Sequence, residues 1–152
     1  DIIIVNWNTG ALLHDCLKSI TQARTTAFRL ERVVVIDNNS ADGSADGLEA
    51  LWELPISVLH NNVNRGFAAA CNQGAAGTQA DYLLFLNPDT RVFPDSLWRP
   101  LAFLDQKENA NFGICGVRHV DDSGGFSTSC ARFPTLWIFF GQMTGLSRLS
   151  PR

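Results

Sequence analysis

No stretch of this 152-residue chain reaches the roughly 18 apolar residues that a membrane-spanning helix needs. An excess of positive charge is missing too. Twelve Lys and Arg stand against 15 Asp and Glu, a formal net charge of −3, and no basic stripe is present, which removes the electrostatic case for nucleic-acid binding. The four cysteines, Cys16, Cys71, Cys115 and Cys130, lie far apart with no C-x-x-C pair. Reduced, mostly buried thiols are expected rather than a disulfide frame. His14, His60 and His119 lack metal-ligand spacing and are assigned ordinary solvated or core roles.

Several catalytic signatures are absent as well. The first strand pattern runs into "VNWNTG", with a single glycine where a dinucleotide site needs G-x-G-x-x-G. No G-x-x-x-x-G-K-[ST] phosphate loop and no G-x-S-x-G nucleophile elbow occur. No repeat, linker or low-complexity stretch breaks the chain, so a single domain over 1–152 is expected.

What is present is a folded domain with ample core: 45% of residues are hydrophobic and 18% charged. "IIIV" (2–5), "RVVVID" (32–37), "ISVLH" (56–60) and "YLLFL" (82–86) read as strands, the last as the most buried. Between them fall helical patterns. Asn8 or Thr9 is expected to cap the first, whose apolar face is Leu12, Leu13, Cys16, Leu17 and Ile20. A second starts near Ser44, with Leu48, Leu51 and Trp52 as its apolar side. A third, over 66–79, is rich in alanine and glycine and suited to lying close to a sheet. A fourth, over 94–106, contains Pro100, expected to kink it or end its first half. "FGICGV" (112–117) and "FSTSCAR" (126–132) read as a hairpin through "DDSGG", and the apolar tail after it as a helix. The alternation predicts an α/β fold with a mostly parallel sheet flanked by helices, plus an added hairpin.

Polar groups gather where the strands end: Asn6 and Asn8; Asp37, Asn38 and Asn39; Asn61, Asn62 and Asn64; Asn87 and Asp89. Any one cluster is explained by the turn preference of Asn and Asp. Four on the same edge of a parallel sheet, where α/β folds bind ligands, fit a polar ligand site better. Pro88 lacks an N–H and ends the ladder, presenting Asp89 at the rim. A carboxylate there suits a divalent cation, Mg²⁺ or Mn²⁺, shared with ligand phosphates; capping a turn before Thr90 is the equal alternative.

The runs "IIIVNWNTGALLHDCLKSI", "VVVIDNNSADGS", "NVNRGFAAACNQGA" and "YLLFLNPDTRV" resemble the family 2 glycosyltransferases, closest to bacterial rhamnosyltransferase-like members that extend cell-surface polysaccharides. The resemblance implies a GT-A fold, Rossmann-like, whose first half binds a nucleotide-sugar. It places Val5, Asn6, Trp7 and Asn8 along the nucleoside, Asp37 on the base with Asn39 close by, and Asn64, Gly66 and Asn72 near the ribose and diphosphate. Arg65 could add a counter-charge there. The family's D-x-D metal motif falls on Asn87-Pro88-Asp89, so Asp89 is the expected metal ligand, and Asn87 stands where the first acid would be. A carboxylate such as Asp37 can accept from the imide N–H of uracil or thymine and discriminates against cytosine.

The implied reaction is inverting transfer of a hexosyl unit, rhamnosyl among the candidates, from a UDP- or dTDP-linked sugar to a saccharide or lipid-linked acceptor. The expected location is the cytoplasm, including the inner face of the cytoplasmic membrane. The general base of this family lies downstream of the region matched here. The chain is therefore expected to be the N-terminal, donor-binding part of a longer enzyme, inactive alone, with no catalytic residue of its own. Its tail 134–147 is expected to drive homo-oligomer formation. A non-catalytic nucleotide-sugar-binding module is the alternative, and a flavodoxin-like or receiver-type domain a third reading.

Overall fold

In the computed structural model, which describes residues 1–23, 26–121, 123–127 and 143, two compact units divide the chain: Asp1–Cys115 and Gly116–Arg152. The first is built on two apolar runs. β1 (Ile2–Asn6) and β2 (Val33–Asp37) are buried at every position, as β-branched residues covered on both faces require. They pair in parallel from Ile2 opposite Val33 to Asn6 opposite Asp37. β3 (Ile56–His60) continues the sheet beyond β2, with His60 opposite Asp37. β4 (Leu84–Leu86) lies on the other side of β1, so the order is β3-β2-β1-β4.

Alternate side chains feed two cores. Ile2, Ile4, Val33 and Val35 point to the face covered by α1 (Ala11–Ala23) and α2 (Leu48–Leu51). Leu13, Cys16, Leu17 and Ile20 of α1 bury against them, whereas Leu12, expected on the same face, is half exposed. α2 is a single turn; it buries Leu48 and leaves Leu51 in solvent. Ile3, Val5, Val34 and Ile36 point the other way, against Ala70 and Cys71 of α3 (Phe67–Ala75). Strand order reverses between β1 and β4, and the covering helix changes face with it, as one crossover hand demands.

The approach of α3 depends on its small residues. A Cβ on Gly74 would lie 2.6 Å from Ile3 Cγ2 and 3.3 Å from Ile36, so side-chain bulk there would lift the helix from the sheet.

Three expectations need correcting. The 82–86 segment is not the most buried strand. Only Leu84–Leu86 pairs, with β1 alone, and Phe85 is 49% exposed because α3 packs on β1 and β2 and stops short of it. Pro100 neither kinks nor splits a helix: α4 spans Trp98–Leu104, and Pro100 sits in its first turn, where no N–H is needed. The hairpin strands are shorter and shifted. β5 (His119–Val120) pairs antiparallel with β6 (Phe126–Ser127) as a sheet of its own, so 112–117 is not a strand. The expected strand beyond Ser127 and the tail helix fall outside the described residues, Met143 excepted. Asp121 holds the "DDSGG" turn as expected, its Oδ1 accepting from Ser123 N–H at 3.0 Å and Gly125 N–H at 2.8 Å.

Cys16 and Cys71 are buried free thiols and Cys115 is half-buried; Cys130 lies outside the described residues. No described helix is long and apolar enough to cross a membrane.

Gly74→Ala should lower stability by about 1–3 kcal/mol from overpacking, although alanine normally gains roughly 1 kcal/mol over glycine inside a helix. Denaturant unfolding checks this; a neutral or stabilising result would show that α3 can slide away from Ile3.

Candidate functional site

The register puts all four strand ends on one edge. Asn6, Asp37 and His60 stand side by side across β1, β2 and β3. β4 stops with Leu86 opposite Ile4, so Asn87, Pro88 and Asp89 emerge on the same rim beyond β1. Asp37 and Asp89 therefore share a rim, two strand spacings or about 10 Å apart laterally.

Asn6 organises this edge from beneath. Its side chain is fully buried. The amide nitrogen lies 2.9 Å from Asp37 Oδ1, 2.9 Å from Ser44 Oγ and 3.1 Å from Ser40 Oγ. Its carbonyl oxygen accepts from the Thr9 hydroxyl. With donors and acceptor all engaged, Asn6 supports the site and does not line it. Val5 is likewise packed in the α3-side core.

Further bonds tie the β1–α1 loop to the β2–α2 loop. Asn8 N–H donates to Ser40 Oγ at 3.0 Å, and Asn8 Oδ1 accepts from Ala41 N–H at 2.7 Å. Asp42 Oδ2 accepts from Gly10 N–H at 2.8 Å. Asn8 and Asn39 adopt left-handed conformations, with φ of 53° and 66°, which asparagine tolerates better than most residues. Backbone geometry thus accounts for part of the asparagine content here. Thr9, offered as a helix cap, directs its hydroxyl to Asn6.

A second amide set holds the β3–α3 loop. Asn38 Nδ2 donates to Asn64 Oδ1 at 2.8 Å, and Asn38 Oδ1 accepts from Asn61 Nδ2 at 3.2 Å and Arg65 N–H at 3.0 Å. Asn61 also donates to Gln73 Oε1 at 3.0 Å, and Gly66 N–H to Asn64 Oδ1 at 2.9 Å. Gly66, at φ 81°, opens α3 with no side-chain cap. Its first-turn N–H groups therefore face the rim, an arrangement that favours anions.

Asp37 is 5% exposed. Burial alone would raise its pKa, but hydrogen bonds from Ser40, Asn6 and His60 outweigh burial and hold the carboxyl below the ordinary range. Ser40 N–H reaches Oδ2 at 3.2 Å, and His60 Nδ1 stands 3.5 Å from the same oxygen.

Asp89 is exposed in a turn closed by Thr90 N–H to Asn87 C=O at 3.1 Å. α1 anchors this turn at both ends. Cys16 Sγ lies 3.8 Å from Asn87 O, and Ser19 Oγ accepts from Val92 N–H at 3.0 Å. Burial and then the nearby Asp89 charge push the Cys16 thiol up to about 12. Among the described residues no group of three His, Cys, Asp or Glu could hold a metal ion. One rim carboxylate fits a cation that ligand phosphates and water also coordinate, not an all-protein cage.

Of the expected contact residues, Trp7, Asn8, Asn39, Asn64, Gly66, Asn87 and Asp89 are exposed on or beside this edge. Asn72 is exposed too, about 9 Å along α3 from Gly66 at the ordinary helical rise. No hydrogen bond joins it to the rim set. Asn38 and Asn61, part of the strand-end clusters, act as supports, and Ser40 and Ser44 share the crowding of short polar side chains after β2. Ser19, inside α1, and Gln73, inside α3, carry no such signal. His60, read as an ordinary histidine, stands beside Asp37.

Against known proteins, the family model described as Glycosyl transferase family 2 matches residues 1–149. An uncharacterized glycosyltransferase of Haemophilus influenzae is 31% identical over 111 residues, 73% of this chain and 36% of that protein. Among solved structures, S. aureus TarS 1-349 in complex with UDP-GlcNAc aligns with TM-score 0.61 at 22% identity, over 68% of this chain and 30% of that one. The mannosyltransferase PcManGT from Pyrobaculum calidifontis, in complex with GDP-Man and Mn²⁺, aligns with TM-score 0.61 at 20% identity, over 70% of this chain and 32% of that one. These structures share the GT-A fold expected from the sequence. The chain spans well under half the length of the first relatives it matches.

Two outcomes follow from the buried set. Asn6→Ala strands the Asp37 and Ser44 acceptors and should cost about 2–3 kcal/mol in denaturant unfolding; a loss under about 0.5 kcal/mol would show that water replaces the amide. Asp37, its pKa depressed, stabilises the fold above the ordinary carboxylate value of about 4, and that contribution fades as pH falls through the folded value. Asp37→Asn should therefore unfold with a flatter pH dependence between about pH 5 and pH 2 than the native protein. Equal slopes would mean that Asp37 titrates alike in the folded and unfolded chains.

Proposed function

This chain belongs to glycosyl transferase family 2, and we propose that its strand-end rim is the donor site of an enzyme that uses a nucleoside diphosphate sugar. The observation that carries the reading is the shared rim: an ionised, preorganised Asp37 under the nucleoside position and an exposed Asp89 two strands away. Asp37 accepts from a base that offers a ring N–H, as uracil, thymine and guanine do. Trp7, Asn8 and Asn39 flank the nucleoside. Asn64 and Gly66 bring α3's free N–H groups to the diphosphate, with Arg65 as a counter-charge and Asn72 along the same helix.

Asp89 would hold a divalent cation, Mg²⁺ or Mn²⁺, beside Asn87; when bound, it neutralises charge on the departing diphosphate. Relatives of this fold crystallised with UDP-GlcNAc and with GDP-Man and Mn²⁺ support both parts of the reading.

The proposed reaction is inverting transfer of a hexosyl unit, rhamnosyl among the candidates, to a saccharide or lipid-linked acceptor in cell-surface polysaccharide synthesis. It would take place in the cytoplasm or at the inner face of the cytoplasmic membrane. Self-association through 134–147 belongs to the same proposal. The acceptor hydroxyl needs a base. The downstream carboxylate Asp121 is engaged in its own turn, which favours as second reading a non-catalytic nucleotide-sugar-binding module of the same fold.

Calorimetric titration with UDP, dTDP and GDP, with and without Mn²⁺, tests the site. One nucleotide should bind with Mn²⁺-enhanced affinity. Asp89→Asn should remove most of that enhancement, and Asp37→Ala should weaken nucleotide binding at least tenfold, about 1.4 kcal/mol. Affinities indifferent to both substitutions would remove the assignment.

A further inference from the structure

The Asp37 carboxylate is nearly buried, and His60 is the most exposed of the side chains that meet it. Oδ1 is taken by the buried Asn6 amide at 2.9 Å, and Oδ2 is fixed on one side by Ser40 N–H at 3.2 Å. Asn6 is fully buried and Ser40 half-buried. The third neighbour differs in kind. His60 Nδ1 lies 3.5 Å from Oδ2, from a side chain that is 56% exposed while that of Asp37 is 8% exposed. His60 ends β3, whose only partner among the described residues is β2. Asn6 and Ser40, which donates from both its backbone and its side chain, hold the carboxylate from the loop side, whereas the half-exposed imidazole can rotate into solvent without opening the core.

We propose that His60 is the cover of the nucleobase subsite: a specificity-determining residue whose ring must leave Asp37 Oδ2 before a base N–H can reach it. This rests on the donor-site reading above. The chemistry defines the ligand that can displace it: a nucleoside diphosphate whose base carries a ring N–H beside a carbonyl. Cytosine, with an acceptor nitrogen at the equivalent place, gains nothing by moving the imidazole. The closed arrangement lowers apparent affinity by the fraction of molecules in which the oxygen is already free. His60 thereby sets a threshold that a correct base crosses and a bare diphosphate never meets.

The test is titration of the intact protein and its His60→Ala and His60→Gln forms with UDP, dTDP, GDP and inorganic pyrophosphate, all with Mn²⁺. His60→Ala should tighten binding of the preferred nucleotide about 3- to 10-fold and leave pyrophosphate unchanged. His60→Gln, which keeps a donor within reach of Oδ2, should stay near the native affinity. Unchanged or weakened nucleotide binding by His60→Ala would overturn the cover, as would equal tightening of pyrophosphate. If the native protein binds none of the three nucleotides, the donor-site reading falls and takes the cover with it. Native binding with an inert His60 removes the cover alone.

Discussion

One buried amide holds the functional edge together. Asn6 ends β1 at the centre of the sheet, and its side chain links four segments: its own strand, Thr9 ahead of α1, the Asp37 carboxylate, and Ser40 and Ser44 in the following loop. An amide in that position is costly to leave unpaired and directional when paired. Because its donors point at Asp37 and the serines, the loop after β2 has one low-energy path over the strand end. A leucine there would add apolar burial and lose the geometry. The second amide set, centred on Asn38, extends the same logic to the loop after β3.

Around this fixed centre the exposed residues differ in character. Trp7, Asn39, Arg65 and Asp89 lie in solvent, while the groups that orient their backbones lie beneath them. The separation resembles other preorganised sites, in which the groups that touch ligand are positioned by neighbours locked in place. It also explains why the Asp89 turn depends on α1. Cys16 and Ser19 grip its two ends from a helix otherwise devoted to core packing.

Much of the fold could be read directly. The 2–5 run and the 33–36 core of the second run are continuous and β-branched, the pattern that a strand covered on both faces uses. The Ala/Gly stretch 66–79 declared a close helix, and Gly74 against Ile3 is the contact that requires it. The misreadings share a cause. "YLLFL" has the composition of a central strand, but composition does not reveal how far the neighbouring helix extends, and α3 leaves Phe85 bare. Pro100 looked like a breaker because the helix start was placed four residues too early. At the site, an asparagine at a strand end looks the same in sequence whether it faces a ligand, as the resemblance suggested for Asn6, or lies beneath one. Only the register, which sets Asn6 beside Asp37, separates the two. His60 carried no signal either, since its partner lies 23 residues away and meets it only through β2–β3 pairing.

The register also shapes the space available to a ligand. β1, β2 and β3 run level to Asn6, Asp37 and His60, but β4 stops pairing at Leu86, opposite Ile4. The rim is therefore stepped. At the β1–β4 junction it is recessed by two residues, about 7 Å along the strand. That junction is also where the strand order reverses, so the α1 and α3 connections diverge to opposite faces. Pro88 keeps the chain from pairing onward along β1, and the Asn87–Thr90 turn carries Asp89 out over the notch. A ligand with its base against Asp37 would have to cross β1 to place a phosphate near Asp89. In the proposed donor site, a base at Asp37 and a cation at Asp89 would therefore lie on either side of the end of β1.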